Sequence, residues 1–247
     1  MNSYSKYMLQ SEKISIEELR CQFDADVDRF SNEQTGQTSS VDAPLILSLF
    51  ETSIARIHPN AQRLLDIGCG AGNFSLRITR KLPQLKLTLL DLSNKMLQKA
   101  KERLLMENFT VEETIQSDIA QAELPNEKFD LVVAAASLHH LRTQQDWKNV
   151  FERIYCSLIP GGSFWLSDLI RHENETIELL QKERYAEYLC GLRDRTYQQQ
   201  VFEYIDRSDT PETLPFLIRT LENTGFRQID ILHKNIVFAA LVAVKPL

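Results

Sequence analysis

The chain has 247 residues, 43% of them hydrophobic, and a formal charge of −6 at pH 7. A chain of this length and composition can bury a substantial core without disulfides or a structural metal, which excludes a disulfide-dependent miniprotein. It contains no apolar run of about 18 residues, which excludes a membrane-spanning helix. Its acidic balance and the lack of a dense basic patch argue against strong nucleic-acid binding.

The cysteines Cys21, Cys69, Cys156 and Cys190 are widely spaced and form no CxxC pair. This spacing favours free thiols in a reducing compartment over disulfides or a zinc site. Residues 1–10 are polar and lack the apolar core of a signal peptide. We therefore expect a cytoplasmic protein that holds no metal ion.

The first 40 residues predict an N-terminal extension, with helical patches at 16–23 and 23–30 and a polar linker over 34–40. Residues 44–58 have the spacing of an amphipathic helix. Apolar strands and amphipathic helices then alternate, which predicts parallel strands joined by right-handed helical crossovers. The strands are expected near 63–67, 86–90, 111–115, 129–135 and 162–168, and the helices near 73–82, 94–107 and 144–157.

The alternation stops at residues 171–208, a charged and Tyr-rich helical segment. It could cover a binding site as a lid or pack on the N-terminal helix. Thr210 and Pro211 predict the N-cap and first turn of a further helix, which is expected to end at Gly225.

Two final strands are expected near 227–232 and 236–244. The link between them, residues 233–235, is short enough to make the pair antiparallel.

The most informative segment is D-I-G-C-G-A-G at residues 66–72. Glycines between a strand and a helix allow a tight turn and a close approach of backbone to a ligand. The next strand ends in Asp91, where a carboxylate can bind ribose hydroxyls. A dinucleotide fingerprint requires GxGxxG, but here the third glycine comes one position early and Asn73 takes its place.

This segment resembles the first motif of the class I S-adenosylmethionine-dependent methyltransferases, and the resemblance extends from about residue 45 to the C-terminus. Later motifs follow in order: Asp91, Q-S-D-I at 116–119, F-D-L-V-V at 129–133 and L-I-P-G-G at 158–162. The resemblance implies an α/β, Rossmann-like three-layer sandwich. Its seven-stranded, mostly parallel sheet would have the order 3-2-1-4-5-7-6 and an antiparallel last strand. Residues 1–247 would form a single methyltransferase domain, with 171–208 as a helical lid insert.

The resemblance also implies S-adenosyl-L-methionine as cofactor and S-adenosyl-L-homocysteine as product. Asp91 would bind the ribose hydroxyls, Leu92 and Met96 would flank the adenine, and Asp118 would accept from its amino group. Asp66 would bind the methionine ammonium or brace the glycine loop. The predicted cofactor-binding set is Asp66, Gly68, Cys69, Gly70, Gly72, Asp91, Leu92, Met96, Asp118, Ile119 and Ala135.

These residues also have ordinary structural explanations. Asp91 could cap a helix, Asp118 could brace a turn, and Met96 could be plain core.

The predicted catalytic residues are His139, His140 and Asp168. The two histidines follow the fourth strand, on the edge where ligands lie in an open α/β sheet. Either could act as a base, or both could support the loop. Asp168 ends the fifth strand, with His172 just beyond, and could face the acceptor or cap a helix.

The segment after the fourth strand lacks the N/D-P-P-Y/F motif often used for amino methylation of nucleobases or glutamine. It also lacks the Pro-Cys used in attack on a pyrimidine carbon. The remaining prediction is in-line methyl transfer to an O, N or C nucleophile of a small molecule. The acceptor, the methylated atom and the oligomeric state stay open, with a homodimer through the insert as one expectation.

The layout is also similar to the carboxy-S-adenosylmethionine synthases of tRNA wobble-uridine modification. The shared features include Phe23-Asp24, the long insert and D-T-P-E-T at 209–213. Those enzymes hold the added carboxylate with an arginine in the insert, where this chain has Gln199, with Arg193 and Arg195 nearby. Their first motif also departs from GxGxG. A third possibility is a non-catalytic scaffold that binds S-adenosylmethionine.

Overall fold

The structure is a computed structural model that describes residues 13–33 and 37–247. Within these residues, seven strands form one sheet in the order β3-β2-β1-β4-β5-β7-β6. They are β1 (Arg63–Ile67), β2 (Lys86–Asp91), β3 (Thr110–Gln116), β4 (Phe129–Ala135), β5 (Leu158–Leu169), β6 (Arg227–Asn235) and β7 (Phe238–Val244). Strands β1 to β5 pair in parallel, and β7 runs antiparallel to both β5 and β6. The predicted fold class and strand order are confirmed.

Helices cover both faces of this sheet. Side chains on a strand alternate between its two faces, and in β1 the buried Leu64 and Leu65 belong to two different apolar clusters. This explains why the strands read as continuous apolar runs. The helices of the described residues are α1 (Ile16–Ala25), α2 (Val27–Ser31), α3 (Ala43–Ile57), α4 (Asn73–Lys81), α5 (Asn94–Met106), α6 (Gln144–Ser157), α7 (Glu175–Leu192), α8 (Arg195–Ser208) and α9 (Leu214–Thr224).

The insert after β5 forms helices α7 and α8, which pack over the carboxyl end of the sheet. A third apolar cluster joins Tyr185 and Leu189 of α7 to Leu169 of β5 and Phe238 of β7. The end of α8 also contacts the N-terminal segment, because Ile14 N donates to a carbonyl of α8 at 3.0 Å. Within the residues described, no helix is both long and apolar enough to cross a membrane. The predicted linker over 34–40 falls partly on residues 34–36, which lie outside the described residues, as do 1–12.

The prediction that Thr210 caps α9 is wrong. The helix begins at Leu214, where Thr213 Oγ1 accepts from Phe216 N at 3.3 Å. Thr210 instead donates its hydroxyl to Leu141 O at 2.5 Å and its amide to His139 O at 2.7 Å. The hydroxyl and amide of Thr210 therefore bind the loop after β4 instead of capping a helix. The predicted end of the helix at Gly225 agrees with the structure.

The predicted link between the last two strands is also wrong. Residues 233–235 belong to β6, and the turn consists of Ile236 and Val237. These residues extend the strand because two of their polar side chains bind Asp42: His233 Nε2 and Asn235 Nδ2 each lie 2.9 Å from Asp42 Oδ2. The antiparallel pairing that the short link implied is present.

The loop after β1 lies directly against the loop after β4. Gly68 has φ +64°, and a Cβ at this position would lie 2.3 Å from Ser137 Cβ. Ser137 Oγ in turn donates to Ile67 O at 3.0 Å. Only glycine fits between the two loops, so their contact explains the first glycine of the motif.

We expect Gly68→Ala to lower the free energy of unfolding by about 2–5 kcal/mol, through left-handed strain and overpacking. Gly191→Ala is the matched control, because a Cβ there meets no atom within 4 Å and the residue lies in α7. The control should raise stability by up to about 1 kcal/mol. Urea unfolding followed by circular dichroism measures both, and equal effects of the two substitutions would contradict the argument.

Candidate active site

A cavity of about 410 Å³ lies at the carboxyl ends of β1, β2 and β4. This volume is within the range of small-molecule pockets, roughly 300–1,000 Å³. Loops after the strands form its floor, and residues of α1, α2 and α8 form its roof. Ten of the predicted cofactor residues line it: Asp66, Gly68, Cys69, Gly70, Asp91, Leu92, Met96, Asp118, Ile119 and Ala135.

Gly72 does not line the cavity. Its φ is +84°, and a Cβ there would lie 3.1 Å from Ala100 Cβ. The third glycine of the motif therefore serves the packing of α4 against α5, whereas the first two form the cavity floor.

Asp91 is placed to bind a diol. Its Oδ2 accepts from Gly70 N and its Oδ1 from Ser93 N, each at 2.8 Å. Each oxygen keeps a further lone pair that can accept from a hydroxyl. Burial raises the pKa of Asp91 to about 6, against the opposing effect of these amide donors. Asp91 does not cap α5, because Ser93 does so by accepting from Met96 N at 3.1 Å.

The other two carboxylates predicted to bind the cofactor each brace a loop. Asp66 accepts from Ser75 Oγ at 2.6 Å, and burial raises its pKa to about 6. Asp118 accepts from Ala120 N at 2.9 Å, as expected for a turn residue. Both also line the cavity, so bracing and ligand contact are compatible at each position.

The predicted catalytic residues lie together. After β4 the chain turns at Ala136, whose φ of +53° is unusual for a residue with a Cβ, and enters a 3₁₀ turn, Leu138–His140. Both His139 and His140 line the cavity. Asp168 lies beneath them, 1% exposed, and does not line it. His172 is paired with Glu178 instead, with Nδ1 3.1 Å from Oε2, outside the cavity.

Asp168 fixes the orientation of His139. Its carboxylate accepts from the amides of Leu138 at 2.9 Å and Leu169 at 2.8 Å, and from the Nδ1 of His139. Because an ionised carboxylate only accepts, Nδ1 carries a proton and Nε2 is the ring atom left to face other groups. That atom lies 3.8 Å from Asp209 Oδ2. Asp168 thus supports His139 and the first amides of the 3₁₀ turn, and the N-cap of the following helix α7 is Asn174 instead.

The two histidines have opposite pKa shifts. Burial lowers the pKa of His139, but the charges of Asp168 and Asp209 and the bond to Asp168 outweigh it and raise the pKa to about 9. Burial and the charge of His139 lower the pKa of His140.

Asp209 is a site residue that sequence reasoning did not select. It is 4% exposed and lines the cavity beside both histidines. Its segment is held against the loop after β4 by Thr210, and by Arg142, which donates to Ser208 O at 2.9 Å. The only signal was the D-T-P-E-T similarity, which did not indicate contact with the histidines.

Beyond the histidines the cavity becomes aromatic and apolar. Phe23 of α1 packs on His140, with ring centroids 5.4 Å apart, and Tyr204 lines the same region from α8. We call this part the aromatic chamber, lined by Phe23, Leu169, Tyr185, Tyr197, Val201, Tyr204, Ile205 and Phe238.

The charge of the cavity is negative. Among the described residues that line it, the carboxylates are Asp26, Asp66, Asp91, Asp118 and Asp209, whereas Arg29 is the one lysine or arginine. Arg29 is itself paired with Asp26 at 2.8 Å and lies over the ring of Phe30. Gln199, Arg193 and Arg195 do not line the cavity.

Comparisons with known proteins agree with this geometry. Residues 64–162 match the family model described as a methyltransferase domain. The chain is 26% identical to the carboxy-S-adenosyl-L-methionine synthase of Nautilia profundicola, over 74% of this chain and 77% of that protein. An uncharacterized methyltransferase of Mycobacterium tuberculosis is 34% identical, but the match covers only 44% of this chain and 51% of that relative.

A solved structure with the same fold is phosphoethanolamine N-methyltransferase 2 of Haemonchus contortus, in complex with phosphomonomethylethanolamine and S-adenosylhomocysteine. Its TM-score is 0.64 at 19% identity, over 95% of this chain and 61% of that one. The motif residues, the fold and the matched domain agree, and the cofactor is S-adenosylmethionine. Residues 64–162 therefore match a methyltransferase domain, and the fold and the motif residues around the cavity agree with that match.

Proposed function

We propose that this protein transfers the methyl group of S-adenosylmethionine to an O, N or C atom of a small, largely apolar molecule. The observation that carries the proposal is the continuity of one cavity. Its floor carries Asp91 and Asp118, its far end is the aromatic chamber, and His139 and His140 lie at the boundary.

The floor residues suit each part of the cofactor. S-adenosylmethionine offers a ribose diol and an adenine amine, both of which donate to carboxylates such as Asp91 and Asp118. The cofactor supplies a methyl group on a positively charged sulfur. A cavity with an excess of carboxylates favours such a cation.

The roof favours a small acceptor. Helices α1, α2 and α8 cover the aromatic chamber, so the acceptor is enclosed together with the cofactor. Enclosure excludes water and holds the two reactants in line, which supplies most of the acceleration in a displacement of this kind. His139, oriented by Asp168, and His140 lie where they can hydrogen-bond the attacking atom. His140, whose pKa is lowered, can accept a proton there, which adds about 10²–10⁴-fold, whereas His139, whose pKa is raised to about 9, is a hydrogen-bond donor near neutral pH.

The charge distribution argues against an anionic acceptor. Arg29 is already paired with Asp26, and the remaining charged groups of the cavity are carboxylates and histidines. A phosphate or carboxylate in the aromatic chamber would lack a free guanidinium to bind it.

Carboxy-S-adenosylmethionine synthase activity is the second candidate, because relatives of that name match about three quarters of the chain. The same charge argument weighs against it. Gln199 is exposed, Arg193 stacks on Tyr197 at 4.8 Å from the ring centroid, and neither lines the cavity. An added carboxylate would meet Gln200 of α8 instead of an arginine.

Mass spectrometry of the ligand that co-purifies with the full chain separates the two candidates. We expect S-adenosylmethionine or S-adenosylhomocysteine, and a carboxylated sulfonium would overturn the proposed function. A panel of small phenols, amines and carbon acids with radiolabelled cofactor then tests transfer. Turnover of any one acceptor excludes a non-catalytic scaffold.

Asp91→Asn should weaken S-adenosylmethionine binding about 10- to 100-fold, the cost of losing charged hydrogen bonds. Since the pKa of Asp91 is raised to about 6, its carboxylate protonates as pH falls through that value. The dissociation constant of the wild type should therefore increase as the pH is lowered from about 8 to about 5. The dissociation constant of the variant should change less over the same range. Calorimetry measures both. Asp230→Asn, at an exposed position of β6, is the control and should change neither.

His139→Gln should lower kcat by about 10- to 100-fold while the affinity for S-adenosylmethionine stays within about twofold, because it removes a charged hydrogen-bond donor on the acceptor side. His172→Asn is the matched control, since His172 also pairs with a carboxylate but does not line the cavity. Initial rates with an acceptor from the panel measure the effect. An unchanged kcat in His139→Gln would exclude a catalytic role.

A further inference from the structure

His139, His140 and Asp209 form a compact group at the boundary of the aromatic chamber. Each offers one ligand atom, and these three atoms all lie within 4.8 Å of one another. His140 Nδ1 is 3.1 Å from Asp209 Oδ1, and His139 Nε2 is 3.8 Å from Asp209 Oδ2. Ligands bound to one ion at about 2.0–2.2 Å lie about 3–3.5 Å apart, so small side-chain shifts complete a shared site.

The carboxylate of Asp209 lacks the partners that its burial demands. Its Oδ1 is buried and is not matched by a well-formed hydrogen bond from any described residue, although His140 Nδ1 lies 3.1 Å away. Two cations lie near, but both donate to main-chain oxygens: Lys13 to Asp209 O at 2.6 Å and Arg142 to Ser208 O at 2.9 Å. A buried carboxylate oxygen without a donor is costly unless another group binds it.

The support of His139 is the arrangement found around metal-bound histidines. Asp168 accepts from Nδ1, so Nε2 is the ring nitrogen that faces Asp209. A metal-ligating histidine usually donates its other N–H to a carboxylate in this way, which fixes the ring and raises its basicity. Asp168 is 1% exposed and held by three backbone amides, so the orientation of His139 is fixed before any ion binds.

The ligands lie on a rigid frame. His139 and His140 share one 3₁₀ turn, and Thr210 ties that turn to the Asp209 segment through two hydrogen bonds, at 2.7 and 2.5 Å. The two segments therefore keep their spacing without a bound ion.

We propose that His139, His140 and Asp209 bind one divalent first-row transition metal ion. Two imidazoles and one carboxylate suit zinc, iron or nickel better than magnesium or calcium, which prefer oxygen ligands. Three protein ligands leave at least one position open, and here it faces the aromatic chamber. Resting on the proposed function, we further infer that this position takes an oxygen or nitrogen of the acceptor beside the methyl group, in place of the hydrogen bonds that the two histidines would make without an ion.

The direct test uses Zn²⁺ and the full-length chain, stripped with a chelator, without cofactor or acceptor. Competition with a chromophoric chelator should show one tight site in the wild type. Asp209→Asn should weaken it by at least about 100-fold, since loss of a group that merely supports a ligand costs 10–100-fold. His233→Asn is the control, because His233 pairs with Asp42 outside the cavity and should leave the site unchanged.

Co²⁺ added to the wild type gives a second readout that needs no variant. An intense visible d–d band, lost on adding one equivalent of Zn²⁺, supports an imidazole and carboxylate site. A wild type that binds no more Zn²⁺ than Asp209→Asn, or shows no such band, overturns the assignment. Neither experiment measures methyl transfer, so the metal site and the proposed function can fail independently. Zn²⁺ binding without turnover of any acceptor would reject the proposed function and leave the metal site standing.

Discussion

The contact between the loops after β1 and β4 is the constraint on which the site depends. Because Gly68 has no Cβ, Ser137 can lie against it and bind Ile67 O. This contact brings the floor that carries Gly70 beside the 3₁₀ turn that carries His139. A wider gap would separate the cofactor from the chamber, and the cavity would no longer be continuous.

The second constraint is the negative charge of the buried carboxylates in the cavity, which favours cationic or donor-rich ligands over anions. Burial raises the pKa of Asp66 and of Asp91 to about 6, so both are ionised near neutral pH at a cost in stability. Such buried charges are tolerated where a cationic or donor-rich ligand offsets them. Among the described residues that line the cavity, Arg29 is the one lysine or arginine, and it is paired with Asp26. The cavity is therefore better suited to an uncharged ligand than to an anion such as the carboxylate that a carboxy-S-adenosylmethionine synthase must hold.

Local patterns predicted the sheet and the residues that line the cavity floor, because each depends on residues adjacent in sequence. The glycine motif, Asp91 and Asp118 each follow a strand, and parallel strands bring their carboxyl ends together. Contacts between distant segments were not predictable in this way. Thr210 stands in a sequence typical of a helix N-cap, yet it hydrogen-bonds the turn after β4. Only this contact brings Asp209 beside the two histidines. Residues 233–235 read as a turn because their binding to Asp42 is not visible in the sequence.

The roof connects the two halves of the cavity. Asp24 of α1 accepts from Ser93 Oγ at 2.5 Å, and Ser93 N donates to Asp91 on the cavity floor. Asn73, at the end of the glycine loop, donates to Phe30 O of α2 at 2.9 Å. The same two helices carry residues that cover the far end of the cavity, so any movement that breaks these hydrogen bonds opens both halves. The two parts of the cavity therefore lie under one roof, and contacts that close one part against water also close the other.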